Sequence, residues 1–196
     1  MAFGPEVTLV RHGETEWSRS GQHTGRTEVA LTDRGEAEAE ALGKVLSAGG
    51  PFDLVLVSPR QRARRTAELA GLEGAVVDGD LVEWDYGELE GQTTAQIRQR
   101  WPGWRIWDGP WPGGETDEEV GARADKVIAR CLEQPAGARV ALVAHGHILR
   151  VVGARWVGAP AASGGWLGLG TAAVCLLGWE HEARALQLWN YQHPPA

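Results

Sequence analysis

Four side chains suited to holding and transferring an anion follow three separate apolar runs of the sequence. Arg11 and His12 come directly after the first run, Arg62 follows the second, and His145 follows the third. Short apolar, β-rich runs of this kind are typical of buried parallel strands. Because ligands of open α/β sheets bind beyond the carboxyl ends of parallel strands, we expect these four side chains to share one pocket.

The chemistry of such a pocket favours phosphate over a metal ion. Arginine cannot act as a metal ligand and its charge repels a cation, so two histidines beside two arginines make a poor metal site. A guanidinium instead offers planar, paired donors that match phosphate oxygens. Phosphoryl transfer depends mainly on positioning and charge stabilisation. The four residues therefore predict a phosphoryl-binding site.

The elements that must position these residues alternate as strands and helices. We expect strands at 7–10, 54–57, 75–77 and 140–144, and helices at 33–47, from Ser58 to about Ala70, from about Thr93, from Thr116 to about Glu133, and at 147–156. Ser58 and Pro59 are the expected N-cap and first residue of the second helix, and a loop is expected directly after His12. A hairpin of strands at 172–179 and 185–189 closes the chain. This order predicts an α/β fold, a three-layer α/β/α sandwich with a mostly parallel central sheet.

Residues 101–114 are expected to be irregular, because Pro102, Gly103, Pro110 and other helix breakers interrupt them. Four tryptophans lie in this segment, at positions 101, 104, 107 and 111. One hypothesis makes the segment a semi-rigid flap over the pocket, and the equal alternative is surface packing or a subunit contact.

The composition limits the class of protein. A chain of 196 residues fits one domain, 1–196, and its 43% hydrophobic and 23% charged content are those of an ordinary globular protein. The net charge of −7 argues against a nucleic-acid surface. Cys131 and Cys175 are expected to be reduced core residues. Glycines and a proline divide residues 156–179 into two short β-like pieces, so we expect no membrane span. The first residues show no basic segment followed by an apolar stretch, so we expect no signal peptide and a cytoplasmic location.

Four blocks of the sequence resemble the histidine phosphatase superfamily, which includes the phosphoglycerate mutases. They are LVRHGETEW at 9–17, SPRQRARRTAE at 58–68, LVEWDYGELEG at 81–91 and VAHGHILR at 143–150. Four blocks in order across most of the chain are far more specific than the RHG motif alone. The resemblance implies a phosphoglycerate mutase-like fold.

The resemblance also implies a role for each matched residue. His12 would be the nucleophile that forms a phosphohistidine, and Arg11, Arg62 and His145 would hold the transferred phosphoryl group. Glu83 would protonate the leaving oxygen and later help to activate water. A neutral imidazole is a competent nucleophile near pH 7, which agrees with this assignment. No metal or cofactor is implied.

A finer resemblance is to the branch that contains sedoheptulose bisphosphatase and related sugar-phosphate phosphatases. It rests on TEWSRSGQHTGRTEVALTDRG at 15–35 together with the 81–91 block. It implies secondary phosphate contacts from Ser18, Thr24 and the Gly25 amide, with Gly146 beside His145. His23 stands where this branch often has tyrosine, and Arg60 replaces a common leucine, so the sugar is not specified.

The expected activity is hydrolysis of small phosphomonoesters, with sugar mono- and bisphosphates as candidate substrates. A mutase is the nearest alternative, although the chain is shorter than typical cofactor-dependent mutases and their substrate-enclosing insertions are not identifiable. A non-catalytic phosphate-binding regulator is the third hypothesis. A small phosphate ester is the expected partner, and a homodimer is left open. His147, His181 and His193 are expected to be structural.

Overall fold

The computed structural model describes residues 3–192, so His193 lies outside the described residues. The strands are β1 (Glu6–Arg11), β2 (Leu54–Val57), β3 (Val76–Val77), β4 (Arg139–Ala144), β5 (Val174–Glu180) and β6 (Ala183–Tyr191). The helices are α1 (Glu16–Ser20), α2 (Asp33–Ser47), α3 (Gln61–Leu69), α4 (Thr94–Arg100), α5 (Asp117–Leu132) and α6 (Gly146–Trp156).

A six-stranded sheet in the order β3-β2-β4-β1-β5-β6 forms the middle of the molecule. β1, β2, β3 and β4 pair in parallel, whereas β5 pairs antiparallel with both β1 and β6. The parallel strands come from βα units, and the antiparallel pair comes from the C-terminal hairpin. The predicted mostly parallel sheet is confirmed.

Each face of the sheet carries its own apolar core. On one face, α2 and α3 pack side chains such as Leu42 and Ala67 against Val57 and Val143. On the other face, α5 and α6 bury a larger cluster that includes Trp84. Helices on both faces of a sheet make the predicted three-layer α/β/α sandwich.

Three local expectations were wrong. The stretch after His12 contains the short helix α1, whose N-cap Thr15 forms a capping box with Ser18. Only one of the two β-like pieces expected within residues 156–179 is a strand, β5, and residues 161–166 form a 3-10 helix. The N-cap of α3 is Arg60, not Ser58, and its side chain makes no capping hydrogen bond. The Ser58 hydroxyl is instead hydrogen-bonded to His145.

The two cysteines, Cys131 and Cys175, are buried and form no disulfide, as expected. Burial raises the pKa of both thiols. Within residues 3–192, no helix combines the length and the apolarity that crossing a membrane would need.

The position of the loop after β1 relative to α2 is fixed by the close approach of two glycines. A Cβ on Gly13 would lie 2.2 Å from the carbonyl oxygen of Gly35, and a Cβ on Gly35 would lie 2.1 Å from the carbonyl oxygen of Glu14. Both atoms in the way belong to the backbone, which cannot yield without moving α2 from the loop. Only glycine therefore fits at either position.

We expect Gly35→Ala to destabilise the protein by about 1–3 kcal/mol, because its methyl group would overpack this contact. Urea unfolding measures the effect. Gly168→Ala is the matched control, since a Cβ there would meet no atom within 4 Å. An unfolding midpoint for Gly35→Ala equal to that of the control would show that the loop can move freely.

Candidate active site

The carboxyl ends of β1, β2 and β4 meet at one edge of the sheet, and a cavity of about 270 Å³ opens there. Among the predicted residues, those that line it are Arg11, His12, Ser18, Thr24, Glu83 and Gly146. A larger groove, between the C-terminal parts of α2 and α3, has none of the predicted residues in its lining. The smaller cavity is therefore the candidate site.

His12 lies at the floor of this cavity with 5% of its surface exposed. Its Nδ1 is 2.7 Å from the carbonyl oxygen of Gly13, which can only accept, so Nδ1 carries the proton and donates it. The lone pair is consequently on Nε2. A neutral histidine fixed in this tautomer offers Nε2 for attack on phosphorus.

The surroundings of His12 keep its ring neutral. Burial lowers its pKa well below 6.5, and the nearby charges of Arg62 and Arg11 lower it further. Both causes act against the imidazolium form, in which Nε2 has no lone pair. The lone pair of Nε2 is thus available in acid as well as at neutral pH.

His145 lies beside His12, with the ring centroids 5.2 Å apart, and is completely buried. Its Nδ1 accepts a hydrogen bond from Nε of Arg62 at 3.1 Å, and its Nε2 is 2.7 Å from Oγ of Ser58. Because Nδ1 accepts, Nε2 carries the proton and donates it to Ser58. Both ring nitrogens are engaged, and burial followed by the charge of Arg62 lowers the pKa of this ring too.

Arg62 is also completely buried and ties His145 to the loop at residues 24–27. Besides its bond to His145, it donates to the carbonyl oxygens of Thr24, Gly25 and Thr27 at 2.9–3.1 Å. These bonds leave one N–H of Nη1 without a partner among residues 3–192. Arg62 and His145 are thus brought next to His12, but they form the layer behind the cavity lining.

The opposite side of the same loop is held by Glu90. Its carboxylate accepts hydrogen bonds from the amides of Gly25 and Thr27 at 2.9–3.0 Å. The Gly25 amide was predicted to contact phosphate, yet it is already occupied by this carboxylate. It can bind phosphate only if Glu90 releases it.

The guanidinium group of Arg11 lies beside the N-terminus of α6. Its Nη1 donates to the carbonyl oxygen of Leu169, and its buried Nε has no partner among residues 3–192. A Cβ on Gly146 would lie 3.4 Å from the guanidinium carbon, so glycine at 146 lets the charge approach the end of the helix closely. Burial lowers the pKa of this arginine, which stays charged because arginine titrates so far above neutrality.

Glu83 is buried against the N-terminus of α6. Its carboxylate accepts from the amides of His147 and Ile148 and from its own neighbour Trp84, each at 2.9 Å. The unpaired amides of a helix N-terminus favour an anion. The candidate proton donor is therefore fixed by a rigid element at the edge of the cavity.

The remaining predicted contact, Ser18, also lines the cavity. Its Oγ accepts from the amide of Thr15 and donates to the carbonyl oxygen of the same residue, both at 2.9 Å. This hydroxyl therefore holds the first turn of α1 in the structure.

Sequence reasoning missed three rings that close the far end of the cavity. His147, expected to be structural, lines it together with His23 and Tyr86. Nδ1 of His147 lies 2.6 Å from the Tyr86 hydroxyl, and the His23 ring centroid is 4.8 Å from that of Tyr86. Burial lowers the pKa of His23 to about 4 and that of His147 well below 6.5, so both rings are neutral.

Arg150 is a further lining residue that the sequence analysis did not select. It donates to the carbonyl oxygens of Gly164 and Gly165 and lies over the ring of Trp107 at 4.5 Å. One turn of helix separates it from Gly146, and this i,i+4 spacing was the available signal.

The four tryptophans of residues 101–111 are packed toward the interior. Trp104 and Trp107 are buried, with ring centroids 5.4 Å from His23 and 5.3 Å from His147, respectively. Trp111 stacks on Trp84 at 6.2 Å. The segment is irregular as expected, and two of its rings support the wall of the cavity from behind.

Among residues 3–192, no cluster of three or more His, Cys, Asp or Glu side chains is arranged to hold a metal ion. Three of the four ring nitrogens of His12 and His145 are hydrogen-bonded to Gly13, Arg62 and Ser58 instead.

Comparison with known proteins gives one consistent family. The model of the histidine phosphatase superfamily, branch 1, matches residues 7–192. An acid phosphatase of Mycobacterium tuberculosis is 46% identical over 184 residues, which cover 92% of this chain and 89% of the relative. Sedoheptulose 1,7-bisphosphatase of Saccharomyces cerevisiae is 34% identical, covering 79% of this chain and 68% of that protein.

Two further comparisons agree. A probable phosphoglycerate mutase of Klebsiella pneumoniae is 34% identical, covering 80% of this chain and 76% of the relative. The solved structure of an open reading frame product of Mycobacterium tuberculosis superposes with a TM-score of 0.92 at 44% identity, covering 95% of this chain and 97% of the other. The relatives named as phosphatases support the prediction that this chain is a hydrolase of the phosphatase type. The chain belongs to the histidine phosphatase superfamily, branch 1.

Proposed function

We propose that this protein hydrolyses small phosphomonoesters through a phosphohistidine on Nε2 of His12. One observation carries the proposal: a buried, neutral imidazole whose Nδ1 is already occupied lies in a cavity beside the guanidinium of Arg11. A nucleophile in the correct tautomer and a fixed positive charge are the two components that transfer of a phosphoryl group needs.

In the first step, Nε2 of His12 attacks phosphorus as the bond from phosphorus to the ester oxygen breaks. The electron pair of that bond goes to the oxygen, which takes a proton from Glu83. In the second step, water attacks phosphorus as the bond from phosphorus to Nε2 of His12 breaks, and the electron pair of that bond returns to Nε2. Glu83 accepts a proton from the water, and inorganic phosphate leaves. Two displacements through a covalent intermediate replace one harder displacement.

Positive charge and amide donors stabilise the phosphoryl oxygens. Arg11 and the Gly146 amide at the start of α6 lie at the cavity, and Arg62 and His145 lie directly behind them. Preorganised donors of this kind favour the charge that develops in the transition state. Ser18, Thr24 and the Gly25 amide supply secondary contacts once the Ser18 hydroxyl leaves the carbonyl oxygen of Thr15 and Glu90 releases the amide.

The size of the cavity favours a small substrate. The volume of about 270 Å³ is just below the usual range for ligand pockets, roughly 300–1,000 Å³. We therefore propose sugar mono- or bisphosphates as the substrate class, in agreement with the yeast relative named sedoheptulose 1,7-bisphosphatase. A cytoplasmic location stays a prediction. A homodimer stays an open alternative, and so do the two hypotheses for residues 101–111, a flap over the pocket and surface packing or a subunit contact.

Phosphoryl transfer of the mutase type is the second candidate, and the relative named probable phosphoglycerate mutase favours it. The two activities share the phosphohistidine and differ only in the acceptor, which is water in one and a substrate hydroxyl in the other.

We expect His12→Ala to abolish turnover and covalent labelling, because Nε2 of His12 is the proposed attacking atom. The measurement is rapid quenching with a ³²P-labelled ester, followed by detection of protein-bound label at alkaline pH. His181→Ala is the control, since this histidine is exposed on the β5-β6 turn. Label that persists on His12→Ala would contradict the proposed intermediate.

Incubation with 3-phosphoglycerate separates hydrolysis from the mutase reaction. Free phosphate without 2-phosphoglycerate is the expected result, and NMR of phosphorus measures both products. Accumulation of 2-phosphoglycerate faster than free phosphate would establish the mutase alternative.

Neutral buried histidines predict a loss of stability in acid. Because burial lowers the pKa of His12, His23, His145 and His147, the unfolded chain binds protons below about pH 6.5 that the folded chain excludes. The free energy of unfolding therefore falls as the pH falls, and for His23 the window extends to about pH 4. Each such histidine contributes about 1.4 kcal/mol per pH unit inside its window.

Urea unfolding between about pH 6 and pH 5 checks this expectation. His23→Gln should reduce the slope of stability against pH by about one proton's worth, roughly 1.4 kcal/mol per unit. An unchanged slope in this variant would show that His23 is protonated in the folded state.

A further inference from the structure

Arg123 on α5 holds the backbone that carries Glu83. Its Nη1 donates to the carbonyl oxygens of Asp80 and Val82 at 2.6 and 3.0 Å, and its Nη2 lies 3.5 Å from the carbonyl oxygen of Glu83 itself. The last distance is at the limit of a hydrogen bond, so the first two are the firm contacts. One guanidinium thus spans the residues on the N-terminal side of Glu83.

The same guanidinium is held in place by Glu115. Nε and Nη2 of Arg123 form a paired contact with the two carboxylate oxygens at 2.6 and 2.7 Å. The two side chains are only 14% and 21% exposed. A paired arginine-carboxylate contact in a partly buried place fixes the plane of the guanidinium.

Glu115 also holds the residues on the C-terminal side of Glu83. Its carboxylate accepts from the amide of Asp85, its carbonyl oxygen accepts from Nε1 of Trp84, and its amide donates to the carbonyl oxygen of Asp85, each at 2.9 Å. The Arg123-Glu115 ion pair therefore holds residues 80–85 by hydrogen bonds on both the N-terminal and the C-terminal side of Glu83.

This pair acts from behind Glu83 and does not reach the phosphoryl cavity. Glu83 borders both the main cavity and a second, charged cavity of about 180 Å³. Arg123 and Glu115 line only the second cavity. Neither side chain is therefore among the groups that line the main cavity.

We infer that the Arg123-Glu115 pair is a positioning element for proton transfer by Glu83, an inference that rests on the proposed function. The carboxyl group of Glu83 is aligned at its far end by α6, and the pair fixes the backbone end. In the first step the proton moves from Glu83 to the ester oxygen as the bond from phosphorus to that oxygen breaks. A donor displaced by about 1 Å loses much of this transfer, on the order of 10²-fold in rate.

Substrates differ in how much they need this proton. An alkoxide is a poor leaving group and depends on protonation, whereas 4-nitrophenolate leaves well without it. A defect in positioning Glu83 therefore slows an alkyl phosphate more than 4-nitrophenyl phosphate. A general loss of structure slows both substrates equally, so the ratio of the two rates separates the two roles.

The test compares Arg123→Met with Arg130→Met. Arg130 also lies on α5, two turns further along, and binds the carboxylates of Asp78 and Asp80 without touching the backbone next to Glu83. We expect Arg123→Met to lower kcat for glycerol phosphate at least 10-fold more than kcat for 4-nitrophenyl phosphate, with little change in KM. Arg130→Met should leave the ratio of the two rates as it is in the unaltered protein.

Equal losses on both substrates, or no loss, for folded Arg123→Met would overturn the inference. If that variant does not fold, Arg123→Lys carries the same test, because it keeps the charge but loses the planar pair of donors. Glu83→Gln separates this inference from the proposed function. If Glu83→Gln itself does not alter the ratio, the role of Glu83 as proton donor is wrong; if it does and neither Arg123 variant does, only the positioning role is wrong.

Discussion

The satisfaction of one buried charge, that of Arg62, determines how the site is assembled. Among residues 3–192 this guanidinium has no carboxylate within ion-pair distance, and its charge is met by three carbonyl oxygens and by His145. A buried charge is strongly unfavourable unless its donors are paired. The loop at residues 24–27 must therefore fold over α3, and His145 must keep the neutral tautomer whose Nδ1 accepts.

The same constraint explains why positive charge is concentrated at the centre of the site. Burial, followed by the charges of Arg62 and Arg11, lowers the pKa of His12 and His145 and holds both rings neutral. The carboxylates of Glu83 and Glu90 are bound to backbone amides at the periphery. The result is a positively charged cavity, which suits the phosphate group of the proposed substrates, and a His12 ring that carries no proton at Nε2.

Local sequence patterns were enough for the sheet and for the groups at its edge. An apolar run followed by Arg11 and His12, or by His145, predicts a strand end and its contents, because a parallel strand delivers whatever follows it to one edge. Hydrogen bonds between residues that are far apart in the sequence were not predictable in this way. The occupation of the Gly25 amide by Glu90, the bond from His145 to Ser58 and the place of His147 in the lining all join residues more than 60 positions apart or depend on such a contact.

One consequence concerns the start of α6, where a single row of amides is shared. Glu83 takes the second and third amides, from His147 and Ile148, and leaves the first, from Gly146, to an incoming anion. In the proposed mechanism, the amide that receives the anion and the two amides that hold Glu83 belong to the same turn of α6, where the rise is about 1.5 Å per residue. This separation of the amides does not depend on the alcohol that a substrate carries. The proposed catalytic geometry is therefore compatible with substrates whose alcohols differ.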